Sequence, residues 1–455
     1  MTGDQIRSLQ SALAAHLERF RHCFKRVESF QHWQQYISGL MMQLKRKSIE
    51  PIALAIDVPV RTLQEFLAFF AWDHELVDQT LRVTVAEEHG SDVAIGVVDA
   101  SAHAKSGDKT PGVQRQWCGE SGKIDNCVVG QHLLYTNNDS ENPFSCVLAS
   151  DLFLPNKWSE DRDRCREAGI PDDVVHRTKW RIAIDQIEAA IRDGIQFQWI
   201  TFDEDYGQVP SFWFELDRLG QQGVGEVPTN FRCWSRRPWY RSHNPAHASK
   251  RVDNVCRYSP IFTQKRWNRL NVKDVTRGEA LWDVKAARVH LVDASDKKHP
   301  RPTTRKYWLI VARNVLTGEI KYFVSNAPAR AQLDAILRVG FARWHIEKWF
   351  ERAKQETGFG DFEMRTYTSL IRHWLSARIA MFFLASETFR LRGEKSGDHV
   401  RAGGEGRAQP GHEGVVSIGA DSDGAQLAVR VLPAPQQSLV REPPPDLCPV
   451  QETSP

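Results

Sequence analysis

The first 90 residues repeat apolar positions at three- and four-residue steps, which is the spacing of an amphipathic helix. Further along this region, residues 46–77 carry two short helical patterns separated by a tight connection at 57–59. This arrangement is typical of a helix-turn-helix and equally of an ordinary helical hairpin. In a helix-turn-helix, four nearby basic residues would bind DNA phosphates: Lys45, Arg46, Lys47 and Arg61.

Near residue 93 the helical spacing gives way to short apolar runs rich in β-branched residues, which predict buried strands. Such runs end near residues 101, 136, 155 and 207, and amphipathic helices are predicted at 178–194 and 209–223. Residues of about 224–325 combine strand patterns with loops, and helical spacing returns from about 328 to beyond 390. The order of these elements predicts a mixed α/β fold.

The end of the chain has a different composition: residues 396–455 are rich in glycine and proline and contain no aromatic residue. A segment of this kind cannot bury enough apolar surface to fold alone, so we expect it to be disordered. The pattern thus predicts a helical N-terminal domain over 1–90 with possible DNA binding. An α/β domain follows over 91–395, with a β-rich insertion at about 224–325, and the tail comes last.

Composition changes this picture little. The chain has 455 residues, 41% hydrophobic and 26% charged, which suits a soluble globular protein of two or three domains. A formal net charge of +3 is too balanced to establish a nucleic-acid partner, although it allows a local basic patch. The eight cysteines form no CxxC pair, which indicates reduced thiols in the cytoplasm, and no apolar run is long enough for a membrane span.

One helical segment, residues 341–360, places charged residues beside a large apolar face. Arg343, Glu347 and Lys354 project within one narrow stripe of this helix, since about 3.6 residues make one turn. The simplest interpretation is a solvated amphipathic helix in which Arg343 and Glu347 form an i,i+4 ion pair. A second interpretation is that the stripe forms one edge of an active site.

Two further acids follow predicted strands. Asp99 lies at the end of the first apolar run, and Asp203 follows the run that ends in Phe202. Together with Glu347 they could converge in an α/β core as three carboxylates, the oxygen donors that Mg²⁺ prefers. Two such ions could activate water and stabilise the leaving oxygen of a phosphodiester. Taken singly, each acid could instead be a strand-end cap, part of a turn, or a surface ion pair.

Several long motifs then occur in a characteristic order. They are "VVDASAHAKSGDKTPGVQRQWCGESGKIDNCVVGQHLLY", "LFLPNKWSEDRDRCREAGIPDDVVHRTKW", "WITFDEDYG" and "RWHIEKWFERAKQETG". They resemble the DDE transposases of bacterial insertion sequences, specifically the insertion-sequence-701 family, over about residues 30–390. The resemblance implies a ribonuclease-H-like catalytic core with Mg²⁺, for which Mn²⁺ may substitute.

Carried over by position, the resemblance makes Asp99, Asp203 and Glu347 the catalytic, metal-binding triad. It also implies that Arg343 and Lys354 face DNA phosphates, and Lys105, within the first motif, is a further candidate for DNA binding. The implied partners are the terminal inverted repeats of the insertion sequence and target DNA, bound by a homodimer. Residues between Asp203 and Glu347 resemble the β-strand insertion of this group, which contacts transposon ends.

The insertion has a sequence signal of its own, because basic residues alternate with tryptophans there. Bases stack on aromatic rings while basic side chains hold phosphates, so Arg236 and Arg237 are predicted to bind DNA. The same prediction covers a wider set: Lys250, Arg251, Lys265 and Arg266, with Trp234, Trp239 and Trp267. The alternative is a small β-domain whose tryptophans form its core.

The chain departs from the family in three places. Ala100 and Ser101 follow the first acid where an acid and a threonine are common, and Gly340 stands where related proteins have tyrosine. Past about Arg392 the resemblance ends, which a reading-frame change or a simple disordered tail would explain. The sequence therefore predicts a DNA transposase. The alternatives are a catalytically inactive DNA-binding remnant and a metal-dependent nuclease without strand transfer.

Overall fold

The computed structural model of the protein describes residues 3–241, 244–275, 278–296, 298–401, 415–420 and 427–432. The N-terminal region is helical, as its apolar spacing predicts. Its helices are α1 (Gly3–Glu18), α2 (Val27–Met41), α3 (Ile49–Ala55), α4 (Val60–Ala68) and α5 (His74–His89). Within the described ranges, none of the helices combines the length and apolar character needed to cross a lipid bilayer.

The central sheet begins with four strands that carry the apolar runs of the sequence: β1 (Ile95–Ala104), β2 (Gln114–Cys118), β3 (Lys123–Thr136) and β4 (Ser145–Leu152). β3 pairs antiparallel with β1 on one side and with β2 and β4 on the other. Helices α6 (Asn156–Glu160), α7 (Arg162–Glu167) and α8 (Lys179–Arg192) then lead to β5 (Trp199–Phe202). β5 lies parallel to β1 and pairs with its first half, from Ile95 to Val98, while β1 continues to Ala104.

After β5 come α9 (Glu204–Gly207), α10 (Pro210–Arg218) and a strand-rich region. Its elements are β6 (Gly223–Glu226), β7 (Arg232–Trp234), β8 (Tyr240–Arg241), β9 (Asn244–Pro245), β10 (Lys250–Arg251), α11 (Val252–Tyr258), α12 (Pro260–Thr263), β11 (Asn268–Val275), β12 (Gly278–Asp293), β13 (Arg301–Pro302), β14 (Tyr307–Asn314) and β15 (Ile320–Ser325). β6 pairs parallel with β5 and antiparallel with β15. The β-rich region therefore extends the central sheet.

Three helices complete the main body: α13 (Leu333–Phe341), α14 (Trp344–Thr357) and α15 (Tyr367–Arg401). α14 ends at Gly358, whose left-handed backbone (φ 59°) lies against the side chain of Lys47, where a Cβ would clash. In the 396–455 segment, the described residues form the last turn of α15 and a ladder of β16 (Val415–Ala420) with β17 (Leu427–Leu432). The rest of the segment lies outside the described residues, so its predicted disorder stays a prediction.

The hydrophobic core runs without a break across the predicted boundary at residue 90, because α2 packs on α15. The Trp33 indole N–H donates to Ser376 Oγ at 3.1 Å, and Tyr36 Oη lies 2.8 Å from His373 Nδ1. Arg372 caps the same interface by donating to backbone carbonyls of residues 66, 67 and 72. The N-terminal helices and α15 therefore share one apolar core.

Four basic residues of the N-terminal region were predicted to bind DNA phosphates, and for Lys47 this prediction is wrong. Lys47 is 5% exposed, and its ammonium donates to the carbonyls of Leu40 and Glu356, so it joins α2 to α14. Arg46 pairs with Glu363 in the loop after α14. Lys45, Arg46 and Arg61 are exposed, so the helix-turn-helix interpretation stays a prediction that rests on these three cations.

Four buried histidines and the half-buried His89 make the fold sensitive to acid. Burial lowers the pKa of His16 and of His132 to about 3, lowers that of His89 and of His373 to about 4, and lowers the pKa of His103 well below its usual range. Unfolded histidine titrates near 6.5, so the unfolded chain binds more protons than the native chain below that pH. The contribution of these histidines to native stability is therefore fully present above about pH 6.5 and is lost as the pH falls.

We expect the urea midpoint to fall between pH 7.5 and 5.5, since each of these five histidines costs about 1.4 kcal/mol per pH unit below 6.5. The raised pKa values of Asp99 and Asp203 favour the native state over the same range, but two carboxyls offset only part of the effect of five histidines. Far-ultraviolet circular dichroism at several pH values measures this. The His16→Leu variant should show a shallower slope, because His16 packs between Phe20, Phe382 and Phe383. Equal midpoints at pH 7.5 and 5.5 would contradict the expectation.

Candidate active site

Two acids meet where β5 ends beside β1. The parallel register places Val98 opposite Phe202, so Asp99, within β1, and Asp203, directly after β5, are the residues that follow this pair. The prediction that Asp99 lies at the end of its strand is wrong, because β1 continues to Ala104. Asp99 accepts the backbone N–H of Ala100 at 2.7 Å, and Asp203 accepts that of Asp205 at 2.9 Å, which caps α9. The strand register thus brings the two carboxylates together, as the sequence predicts.

The two carboxyls have unusual proton affinities. Burial, and then the neighbouring charge of Asp203, raise the pKa of Asp99 to about 7 against the opposing effect of Arg343. Burial, and then Asp205, raise the pKa of Asp203 to about 6. The site therefore concentrates negative charge in a buried position, and a cation would relieve it.

The helix α14 brings the third acid to the same place. Arg343 precedes the helix, and its Nη1 lies 3.2 Å from Asp99 Oδ2 while its Nη2 lies 2.5 Å from Glu347 Oε1. The guanidinium thus bridges an acid of the sheet to an acid of the helix. The simple i,i+4 ion pair is present, and it is also part of the site, so the two interpretations of this stripe are compatible.

The carboxylate donors suit a hard divalent ion such as Mg²⁺. Within the described residues, no three His, Cys, Asp or Glu side chains are already arranged around one metal position. The third carboxylate is kept away from the first because the positive charge of Arg343 lies between Asp99 and Glu347. Asp99 and Asp203 fit a cation directly, whereas Glu347, with a side chain 55% exposed, would join it by turning away from Arg343.

Lys354 and Lys105, the two lysines near the acids that were predicted to bind DNA, differ in where their ammonium groups lie. Lys354 lies two turns beyond Glu347 with its Nζ 3.8 Å from Glu120 Oε1, at a partly exposed position. Lys105 instead donates to the Gly360 carbonyl at 2.8 Å and lies 3.6 Å from the centre of the Phe362 ring. Its ammonium is directed into the protein, which argues against the prediction that Lys105 binds DNA.

A buried polar network beneath the acids was missed by the sequence reasoning. Tyr206 Oη donates to Gln131 Oε1, and Gln131 Nε2 donates to the Asp99 carbonyl at 3.1 Å. Gln186 Nε2 in turn donates to the Gln131 carbonyl at 2.9 Å and to Asp151 Oδ2 at 2.7 Å. The available signal was Tyr206 itself, a polar aromatic residue three positions after Asp203. This network holds the segment of β1 that carries Asp99 in place.

The basic and aromatic surface predicted for the β-rich region is present in part. Arg236 and Arg237 are exposed, and so are Trp239 (69%) and Trp267 (39%). Trp234 is only 3% exposed, so the prediction that it contacts bases is wrong and it belongs to the core. Trp267 lies 4.8 Å from both the Lys285 ammonium and the Arg313 guanidinium carbon, which keeps its ring among cations.

A comparison with protein families identifies the family of the chain. Residues 19–286 match the family described as DDE superfamily endonuclease, which is more than half of the chain, so the protein belongs to that family. The match includes Asp99 and Asp203 and ends before Glu347.

A relative in Microchaete diplosiphon, the "Probable transposase for insertion sequence element IS701", is 26% identical over 215 residues. The aligned part covers 46% of this chain and 52% of that relative, so it spans about half of each protein. The resemblance to the insertion-sequence-701 family is confirmed.

Proposed function

We propose that the protein is a DNA transposase with a ribonuclease-H-like core, in which Asp99, Asp203 and Glu347 form the catalytic, metal-binding triad. The observation that carries the proposal is the adjacency of Asp99, within β1, and Asp203, directly after the parallel strand β5, with Glu347 facing them across Arg343. The substrates are the terminal inverted repeats of an insertion sequence and target DNA, bound by a homodimer in the cytoplasm.

The reaction consists of two phosphodiester exchanges. Water attacks the phosphate at the element end, and the 3′ oxygen of the element leaves as a hydroxyl. That hydroxyl then attacks a target phosphate, and the target's own 3′ oxygen leaves. Bound Mg²⁺ would supply activation of the attacking oxygen and stabilisation of the leaving oxygen.

The chain's own residues position the substrate. The network of Gln131 and Tyr206 fixes the backbone that carries Asp99, while Asp205 N–H holds the carboxylate of Asp203. When DNA enters, the guanidinium of Arg343 is the nearest protein cation to a phosphate above these acids. Most of the rate enhancement would come from positioning and charge stabilisation, since the protein forms no covalent bond.

An assay with labelled terminal repeats and a supercoiled target tests the function. A product in which the repeat is joined to the target supports the transposase. Cleavage without joining would identify a metal-dependent nuclease that lacks strand transfer, and binding without cleavage would identify an inactive remnant. The DNA that flanks the gene supplies the repeats for this assay.

Charge reversal at Arg236 and Arg237 should weaken DNA binding. If each guanidinium holds one phosphate, the dependence of log affinity on log salt should become shallower by about 2, one unit per lost contact. Fluorescence anisotropy over a salt series measures both effects. The matched control is Lys157→Glu with Arg192→Glu, the same change in charge at exposed positions on α6 and α8. An unchanged salt dependence would remove Arg236 and Arg237 from the interface.

A further inference from the structure

The hairpin of β2 and β3 exposes a pair of large apolar side chains that no neighbouring element covers. Trp117 is 65% exposed and Ile124 is 61% exposed, and the two residues lie directly opposite each other in the antiparallel ladder. Each forfeits about 1.5–3 kcal/mol of burial by remaining in water. A cross-strand apolar pair at the end of a hairpin is therefore a candidate contact surface.

The register places this pair on the same face of the sheet as Asp99. Asp99 lies opposite His132 on β3, and directly paired residues share one face. Ile124 is eight residues from His132 on the same strand, so the two-residue alternation of side chains puts it on that face. Trp117 is paired directly with Ile124, so it also lies on the face that carries Asp99.

The face is covered only in part. Near the acids it packs against α14, where Phe350 lies 5.0 Å from His132, and further along it packs against Phe359 and Phe362, which approach His103. Beyond Phe362 the same face carries the exposed side chains of Trp117 and Ile124. DNA with a phosphate at Asp99 would therefore pass over α14 and the loop after it to reach the hairpin.

The charges on the hairpin favour an anionic partner. Its two acids are satisfied locally: Glu120 accepts the Ala104 N–H at 2.9 Å, and Asp125 lies 3.7 Å from Lys123. Arg115 shares the face of Trp117, is exposed, and has no ion-pair partner among the described residues. An apolar pair beside an available guanidinium matches a nucleic acid, which offers base faces next to phosphates.

The spacing along the strands sets where this contact falls. The ladder aligns Ala104 with Cys127 and Gln114, so Trp117 lies eight strand positions beyond Asp99. At about 3.3 Å per residue this is roughly 26 Å, before any shortening by sheet twist. A duplex that runs in the direction of β1 covers that length with about eight base pairs.

We propose that Trp117 and Ile124 act as an apolar wedge on the DNA of the element end, inserted between base pairs roughly eight pairs from the bond that is cut. Arg115 holds a neighbouring phosphate. Apolar wedges of this kind unstack one base step and kink the duplex, and the bent DNA gains contacts elsewhere on the protein. This inference rests on the proposed function, since it takes the scissile phosphate to lie at Asp99.

Local base unstacking tests the wedge. The probe is a duplex of the terminal repeat that flanks the gene, with 2-aminopurine placed singly at positions five to eleven from the cut bond, without divalent metal. The full-length wild-type chain should raise 2-aminopurine fluorescence at one step near position eight. Trp117→Ala should remove this increase and weaken binding about tenfold, whereas Trp117→Phe should retain most of both.

The matched control is Ile191→Ala, an apolar residue 39% exposed near the end of α8 and outside the predicted DNA surfaces, which should behave as wild type. Thermal melting of the variants checks that folding is unchanged. If wild type binds and cleaves the repeat with no unstacked step, or if Trp117→Ala matches Ile191→Ala, the wedge is wrong while the transposase stands. If wild type neither binds nor cleaves the repeat, the proposed function fails and the wedge fails with it.

Discussion

Replacing Asp99, Asp203 or Glu347 by alanine, one at a time, is expected to lower strand cleavage by about a thousandfold or more. Each variant removes a carboxylate that would hold a divalent ion at the reacting phosphate, and the remaining acids cannot replace its position. DNA binding should stay mostly intact, because the basic surface lies elsewhere. Cleavage of a labelled terminal repeat, alongside a mobility-shift titration, separates the two effects.

The matched control for these variants is Asp205→Ala. Asp205 follows Asp203 by two residues, has a side chain 61% exposed, and lies 3.8 Å from Lys179, so its loss changes local charge without removing a proposed ligand. The thermal shift on adding Mg²⁺ gives a readout besides activity: wild type and Asp205→Ala should gain stability, and Asp99→Ala should not. Cleavage that persists in all three triad variants would refute the DDE mechanism proposed here.

The sequence could predict the meeting of the first two acids because that arrangement depends on short-range pattern. Each acid directly follows an apolar run, and the parallel register places the ends of those two runs, Val98 and Phe202, opposite each other. The long-range partner of Arg343 could not be predicted. Its ion pair with Asp99 joins residues 244 positions apart, and no local spacing encodes that contact.

The sequence was equally unable to predict which basic and aromatic side chains are exposed, because exposure depends on long-range contacts that local spacing does not encode. Lys105 and Lys47 have the composition of DNA contacts, yet backbone carbonyls at the end of α14 receive their ammonium groups. Trp234 becomes core because it lies in β7 opposite His290, whereas Trp239 lies beyond the strand and stays exposed. Composition indicated a basic, aromatic region, and only tertiary packing decides which of its side chains face solvent.

The joining of the β-rich region to the central sheet is a further feature that the local sequence pattern does not predict. The strand spacing predicted a β-rich segment after α10, but a period of two residues says nothing about which strand becomes the neighbour. In the structure, β6 pairs with both β5 and β15, so the β-rich region is built onto the strand that precedes Asp203. Movement of that region would therefore be transmitted to the edge of the candidate site.

The second large effect concerns a buried charge network that joins four elements. Asp78 on α5 lies between Arg82 and Arg378, with which it forms ion pairs. Arg378 on α15 also donates to the Leu148 carbonyl of β4 at 2.8 Å, and Arg82 Nε lies 2.6 Å from Asp193 Oδ2 at the end of α8. Burial alone would raise the pKa of Asp78, but the charges of Arg378 and Arg82 outweigh it and lower that pKa.

Asp78→Ala is expected to destabilise the protein by about 3–5 kcal/mol, because it leaves the buried guanidinium of Arg378 without its counter-charge. Urea unfolding at pH 7.5 measures the loss, and Asp92→Ala, an exposed acid in the turn after α5, is the matched control. The double variant Asp78→Leu with Arg378→Met removes both charges while Arg82 keeps Asp193, so it should recover much of the stability. If the single and double variants were equally unstable, packing rather than the unpaired charge would be the cause. If Asp78→Ala matched Asp92→Ala, the network would not join the N-terminal helices to the catalytic core at all.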